Sequence, residues 1–173
     1  MSLASPARRR TLTLAALAAT GGLSLAGLAA CGSRDPAPQS RFLLLDGSTL
    51  ESSSLKGKVT LVNFWATTCT SCVAEMPDLV ATYRKYQARG LETVAVAMSY
   101  DPVEWVLNFT QSRQLPFKVA LDHDGALAKQ WGEVRLTPTT FVVDRQGQIV
   151  KRYVGAPDFA ALRQLLEELL AQG

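Results

Sequence analysis

The stretch that most limits what this chain can fold into is Val59-Thr60-Leu61-Val62-Asn63-Phe64-Trp65, followed shortly by Cys69-Thr70-Ser71-Cys72. The nearly continuous apolar run is the mark of a strand covered on both faces. Beyond Ala66-Thr67-Thr68 the spacing becomes that of a helix. Cys72, Val73, Met76, Leu79, Val80 and Tyr83 form its apolar stripe, and Gly90 marks its end. Cys69 therefore falls where a strand hands over to a helix N-terminus. The first N–H groups of a helix are unpaired and its dipole is positive there, so a thiolate is stabilised. A free cysteine has a pKa of about 8.5, and helix N-termini and C-x-x-C spacing lower it. This position predicts Cys69 as a nucleophile. Cys72, one turn inside, is the resolving thiol that would attack a mixed disulfide.

The remainder alternates between strand and helix patterns. Leu91–Met98 reads as a second core strand. Pro102–Gln114 reads as an amphipathic helix turning Val103, Val106, Leu107 and Phe109 to the core. Phe117–Leu121 is a short strand, Asp122-His123-Asp124-Gly125 a turn and Ala126–Trp131 a short helix. Thr139–Val143 and Ile149–Val154 form a hairpin about Arg145-Gln146-Gly147-Gln148. Asp158–Ala171 is a C-terminal helix with Phe159, Leu162, Leu165, Leu166 and Leu169 as its stripe. This order predicts an α/β domain over residues 41–173, with a mixed central sheet flanked by helices. Trp105 and Trp131 read as core or helix-packing residues. His123 sits in a turn capped by Asp, in a motif too short for a calcium loop.

The N-terminus reads as an address. Arg8-Arg9-Arg10 precede a charge-free run from Leu12 to Ala30, the layout of a secretory signal over residues 1–30. The run ends Leu28-Ala29-Ala30-Cys31-Gly32, which resembles a bacterial lipobox with Cys31 as the lipidated residue. A retained membrane anchor, cleavage at an Ala-x-Ala-like site and twin-arginine export (Arg9-Arg10-Thr11-Leu12) are the competing readings. All place the domain outside the cytoplasm. Residues 31–40, ending in GSRDPAPQS, read as a flexible tether. The three arginines account for the whole formal charge of +3, because 18 Lys+Arg stand against 15 Asp+Glu. A domain without net charge gives no reason to propose nucleic acid as a partner.

Three cysteines are an odd number for an exported chain. With Cys31 lipidated, Cys69 and Cys72 stand as a pair. A purely stabilising disulfide is disfavoured, since closing so short a loop removes little unfolded-chain entropy. A zinc site lacks ligands, with one further Cys and one His in the chain. Neither a metal nor any cofactor beyond the Cys69–Cys72 pair itself is expected.

At Trp65-Ala66-Thr67-Thr68-Cys69-Thr70-Ser71-Cys72-Val73-Ala74-Glu75-Met76-Pro77 the sequence resembles the TlpA/ResA/CcmG-like branch of the thioredoxin superfamily. The likeness runs from about Phe42 to the C-terminus. It includes Leu55-Lys56-Gly57-Lys58 and Leu136-Thr137-Pro138-Thr139-Thr140-Phe141-Val142-Val143-Asp144. It implies a thioredoxin-like fold and a protein-disulfide reductase in which Cys69 and Cys72 are catalytic and Glu75 exchanges protons with them. It also implies that Trp65, Thr137 and Pro138 lie on the substrate-binding face, with Thr137–Pro138 cis and opposite the dithiol. The partners it implies are disulfide-bearing exported proteins, apocytochrome c among them, and a membrane dithiol donor of the DsbD/CcdA type. The setting would be the periplasmic side of a bacterial membrane, with the lipid on Cys31 as anchor. Two departures stand out. Asn63 occupies the place of thioredoxin's buried Asp and cannot titrate. Thr68 replaces the branch's Trp before the first cysteine, which removes a flat aromatic beside the dithiol.

Two other classes compete. A copper-binding thiol chaperone would use the same two thiolates, which suit Cu(I), but no His or Met lies at an obvious ligand spacing. A peroxiredoxin-type peroxidase would need a pattern that does not fit around either cysteine.

Overall fold

The computed structural model describes residues 34–172. The signal over 1–30 and the lipidation site Cys31 lie outside the described residues. Seven strands form one mixed sheet: β1 (Arg41–Leu44), β2 (Thr49–Glu51), β3 (Val59–Trp65), β4 (Leu91–Ala97), β5 (Lys118–Leu121), β6 (Thr139–Val143) and β7 (Ile149–Val154), in the order β2-β1-β5-β4-β3-β6-β7. The helices are α1 (Thr70–Tyr86), α2 (Val103–Arg113), α3 (Ala126–Gln130) and α4 (Phe159–Ala171).

The most apolar run lies deep in the sheet. β3 pairs parallel with β4 and antiparallel with β6, and all its residues are buried. Side chains alternate across a strand, so β3 serves two cores. Val59, Leu61 and Trp65 pack with Cys72, Met76 and Leu79 of α1, Val106 of α2 and Leu162 and Leu166 of α4. Val62 and Phe64 pack on the other side with Phe42, Val94, Val96, Phe141 and Trp131. By the same alternation Asn63 belongs to the α1 side, which decides its partners.

Three regions differ from expectation. The β1–β2 hairpin was not legible as strands: its runs are short and, apart from Phe42, only partly buried, so alternation has little room to show. Val103 and Leu107, expected to face the core, are 39% and 38% exposed, and Trp105 is 55% exposed. On α2, Val106 is buried and Phe109 is packed against the core, so the inward stripe is narrower than the apolar content suggested. The expected tether is also shorter than residues 31–40. Ile149 N–H donates to the Asp35 carbonyl (2.8 Å) and Ala37 N–H to the Gly147 carbonyl (2.9 Å). Ser40 is buried and its hydroxyl accepts from Trp131 Nε1 at 3.0 Å. The prolines that signal a loop also hold the backbone extended, the shape that pairs with a neighbouring segment.

Candidate redox site

Cys69 is the residue immediately before α1. It has extended backbone (φ −89°, ψ 104°), and its Sγ lies 3.2 Å from the Cys72 backbone nitrogen. That N–H is one of the unpaired donors of the first turn, so the sulfur occupies the place of a helix-capping oxygen. Ser71 Oγ lies 3.5 Å from the same sulfur. The two cysteines are joined as a disulfide, with Cα atoms 5.2 Å apart. Cys69 is half-buried, whereas Cys72, on the first turn of α1, is completely enclosed in the core. An incoming sulfur therefore reaches Cys69 first.

The loop between β3 and Cys69 is held from one side. Thr67 N–H and Thr67 Oγ1 each donate to the Asp101 carboxylate at 2.6 Å, and Met98 N–H donates to the Trp65 carbonyl at 3.0 Å. Asp101 is buried, so this two-pronged contact ties the dithiol loop to the chain leaving β4. Asp101 carried no motif signal, because the contact spans 34 residues.

Beneath the dithiol lies a polar chain inside the core. Asn63 Nδ2 donates to Glu75 Oε1 and to Thr140 Oγ1, both at 2.9 Å. Glu75 sits one turn beyond Cys72 on the same helix, a spacing that places the two residues on one face. Its side chain is 5% exposed, and Oε2 makes no hydrogen bond among the described residues. Loss of hydration pushes its carboxyl from the usual 4.5 up to about 7, against a smaller lowering by Asn63. Asn63 thus replaces a titratable group with a neutral donor that holds the remaining carboxyl in place. Thr140 was missed by sequence reasoning; its only signal was its position two residues after Pro138.

The Thr137–Pro138 bond is cis. Thr139 is paired with Phe64 across the antiparallel β3–β6 ladder, so Pro138 lies at the end of β3 from which the dithiol loop departs. Thr137 is half-buried, Pro138 is buried, and Tyr100 Oη lies 3.4 Å from Thr137 Oγ1. Trp65 departs from its expected place on the substrate-binding face. It is fully enclosed, its ring 5.1 Å from that of Phe109. A wholly covered indole cannot touch a docking chain, so Trp65 acts as packing under the loop. The expected turn residue Asp122 caps α3 through bonds from Leu127 N–H (3.0 Å) and Ala128 N–H (2.9 Å).

Residues 33–166 match the family described as Redoxin. The thiol-disulfide oxidoreductase ResA of Bacillus thuringiensis subsp. konkukian is 33% identical over 125 residues, covering 72% of this chain and 71% of that protein. The crystal structure of a thiol:disulfide interchange protein of the thioredoxin family from Chlorobium tepidum superposes with a TM-score of 0.73 at 29% identity, covering 80% of this chain and 97% of that one. The structure of MTB dsbF gives a TM-score of 0.70 at 26% identity, covering 78% and 98%. With a seven-stranded mixed sheet, a C-x-x-C at the start of the helix after β3 and a cis-proline directly before β6, the chain belongs to the redoxin family, in the ResA-like branch of thioredoxin-like thiol–disulfide oxidoreductases.

Proposed function

We propose that the protein reduces disulfides in exported partner proteins, with Cys69 as attacking and Cys72 as resolving thiol. The observation that carries this reading is the asymmetry of the pair. Cys69 is accessible at a helix start, and Cys72 is enclosed beside a carboxyl that titrates near neutrality.

In the reduced protein the Cys69 thiolate attacks one sulfur of the substrate disulfide. A Cys69–substrate S–S bond forms, and the substrate's other sulfur leaves as a thiolate that takes up a proton. Glu75 accepts the Cys72 proton, and Cys72 attacks Cys69 Sγ. The mixed disulfide breaks, the Cys69–Cys72 bond forms and the second substrate sulfur departs. Two electrons have passed to the substrate, and a membrane dithiol donor of the DsbD/CcdA type restores the dithiol.

Thr137 and Pro138 would receive the substrate backbone beside Cys69. Placement outside the cytoplasm rests on the signal-like N-terminus. Among the described residues no helix is long and apolar enough to cross a membrane; the lipobox-like Leu28–Cys31 segment supports a lipid on Cys31 as the anchor. Apocytochrome c is the substrate favoured by the family resemblance.

The test is the reduction potential of the pair, together with capture of partners by Cys72→Ala in a Cys31→Ser background. A potential nearer thioredoxin's value of about −270 mV than DsbA's of about −120 mV supports a reductant. A potential at the oxidising end, or a trap that holds no protein through Cys69, overturns the reading.

A further inference from the structure

The large apolar side chains that stand exposed among the described residues are Tyr100, Val103, Trp105, Leu107, Leu136 and Val154. All belong to segments at the dithiol end of the sheet. Tyr100 touches Thr137, and Leu136 precedes it. Val154 pairs with Thr139, and the next residue, Gly155, donates its N–H to the Pro138 carbonyl. Val103, Trp105 and Leu107 lie on the first turns of α2, which follows directly on the Asp101 that grips Thr67. Scattered exposed hydrophobics need no explanation, but confinement to one end of a molecule does.

Within this end, Thr67, Thr68, Trp105, Asn108, Phe109 and Ser112 line an open groove. Phe109 rests on the buried Trp65, so the groove has a rigid floor. Trp105 lines the groove and is 55% exposed. Thr68, which lines the groove, is small, exposed and directly precedes Cys69 in the chain, so the groove adjoins the residue before the attacking cysteine.

We infer that Trp105 and the Thr68 groove form a specificity site for an extended polypeptide carrying an aromatic side chain within a residue or two of its reacting cysteine. The inference rests on the proposed thiol–disulfide exchange and adds what that exchange selects. Once a substrate sulfur is bonded to Cys69, a neighbouring substrate residue lies one Cα step of about 3.8 Å along its chain, the same single step that separates Cys69 from the groove residue Thr68. Asn108 and Ser112 offer an amide and a hydroxyl to the peptide backbone, while Trp105 offers an aromatic face. Paired rings interact beyond simple burial. An indole on α2 thus takes up, from within the same groove, the role that an aromatic at position 68 would have played.

The test uses two short peptides with a single cysteine, identical except for Phe or Ser next to that cysteine. Each is joined as a mixed disulfide to thionitrobenzoate. The reduced Cys31→Ser protein attacks the peptide sulfur, and the better leaving group departs as coloured thionitrobenzoate. The expected result is a second-order rate about five- to tenfold higher for the Phe peptide. That ratio falls to near one in Trp105→Ala and is largely retained in Trp105→Phe. A second readout needs no reaction. Trp65 and Trp131 are 0% and 3% exposed, so a fluorescence change on adding a cysteine-free Phe peptide to the oxidised protein should come from Trp105 and be lost in Trp105→Phe. A Phe/Ser ratio in Trp105→Ala equal to that of the parent overturns the specificity site while leaving thiol exchange standing. Failure to react with either peptide overturns both.

Discussion

Two carboxylates buried to the same depth behave in opposite ways. Glu92, at the start of β4, is 4% exposed, and Glu75 is 5% exposed. Glu92 is surrounded by compensation: Lys118 Nζ and Lys58 Nζ both reach Oε2, the latter at 3.6 Å, and Thr93 N–H donates to Oε1 at 3.0 Å. Glu75 has one neutral amide, from Asn63. Burying a charge is tolerable when partners replace its hydration and unfavourable when they do not. The far end of the sheet therefore holds a paired, structural carboxylate. The dithiol end holds an underpaired one whose proton is exchangeable near neutral pH. The exposed apolar side chains show the same division, since they too gather at the dithiol end.

The strongest way to break this contrast is at the sulfur itself. Cys69→Ser should lower turnover of a protein disulfide by more than about 10³-fold, because a hydroxyl is not an activated nucleophile here. Insulin reduction checks this, and residual activity within tenfold of the parent would remove Cys69 from its role. Glu75→Gln should slow turnover at pH 7 by about 10²-fold, the range expected for a positioned acid–base group.

The same substitution should raise stability. A carboxyl whose folded pKa lies above its unfolded value binds more protons when folded, so stability falls as pH rises from about 4.5 towards 7 and the loss is complete above that. Urea denaturation should find Glu75→Gln up to about 3 kcal/mol more stable than the parent at pH 8, from roughly 1.4 kcal/mol per pKa unit. The two should be equal at pH 4. A difference that does not depend on pH would contradict the underpaired carboxylate.

At the far end the sign reverses. Lys118→Met leaves Glu92 with the more distant Lys58 as its one cation, beside the Thr93 N–H, and should destabilise the fold by about 2 kcal/mol at pH 7, with turnover retained. The smallest effect is expected at the loop clamp. Asp101→Asn keeps the shape but leaves one acceptor oxygen for the two Thr67 donors and removes the charge, and should lower stability by about 1 kcal/mol. Turnover should fall with it, because Thr67 no longer fixes the approach to Cys69. Unchanged kinetics would make Asp101 purely structural.

Much of this was readable along the chain. The apolar run of β3 and the helical spacing after Cys72 are local patterns that announced the strand and the dithiol's place, and the resemblance carried by the Trp65–Pro77 and Leu136–Asp144 segments implied the thioredoxin-like sheet and the cis-proline. The β1–β2 hairpin was not readable, because four- and three-residue strands with one enclosed side chain carry almost no periodicity. The α2 helix misled for a related reason. Its apolar residues exceed what one face can bury, and only packing decides which stay outside.

The sequence alone determined where the C-x-x-C pair lies, at a strand-to-helix junction, and the proposed order of attack is drawn from that position. These follow from backbone polarity and short-range spacing. What only the tertiary structure decided is the environment of that pair: Asn63 joining Thr140 to Glu75, Asp101 gripping Thr67 across 34 residues, Trp65 withdrawn beneath the loop and Trp105 left exposed beside Thr68. The physical reason is that hydration loss and hydrogen bonding act through space. A carboxyl's pKa and an indole's accessibility depend on which distant segments enclose them, and no local pattern records that.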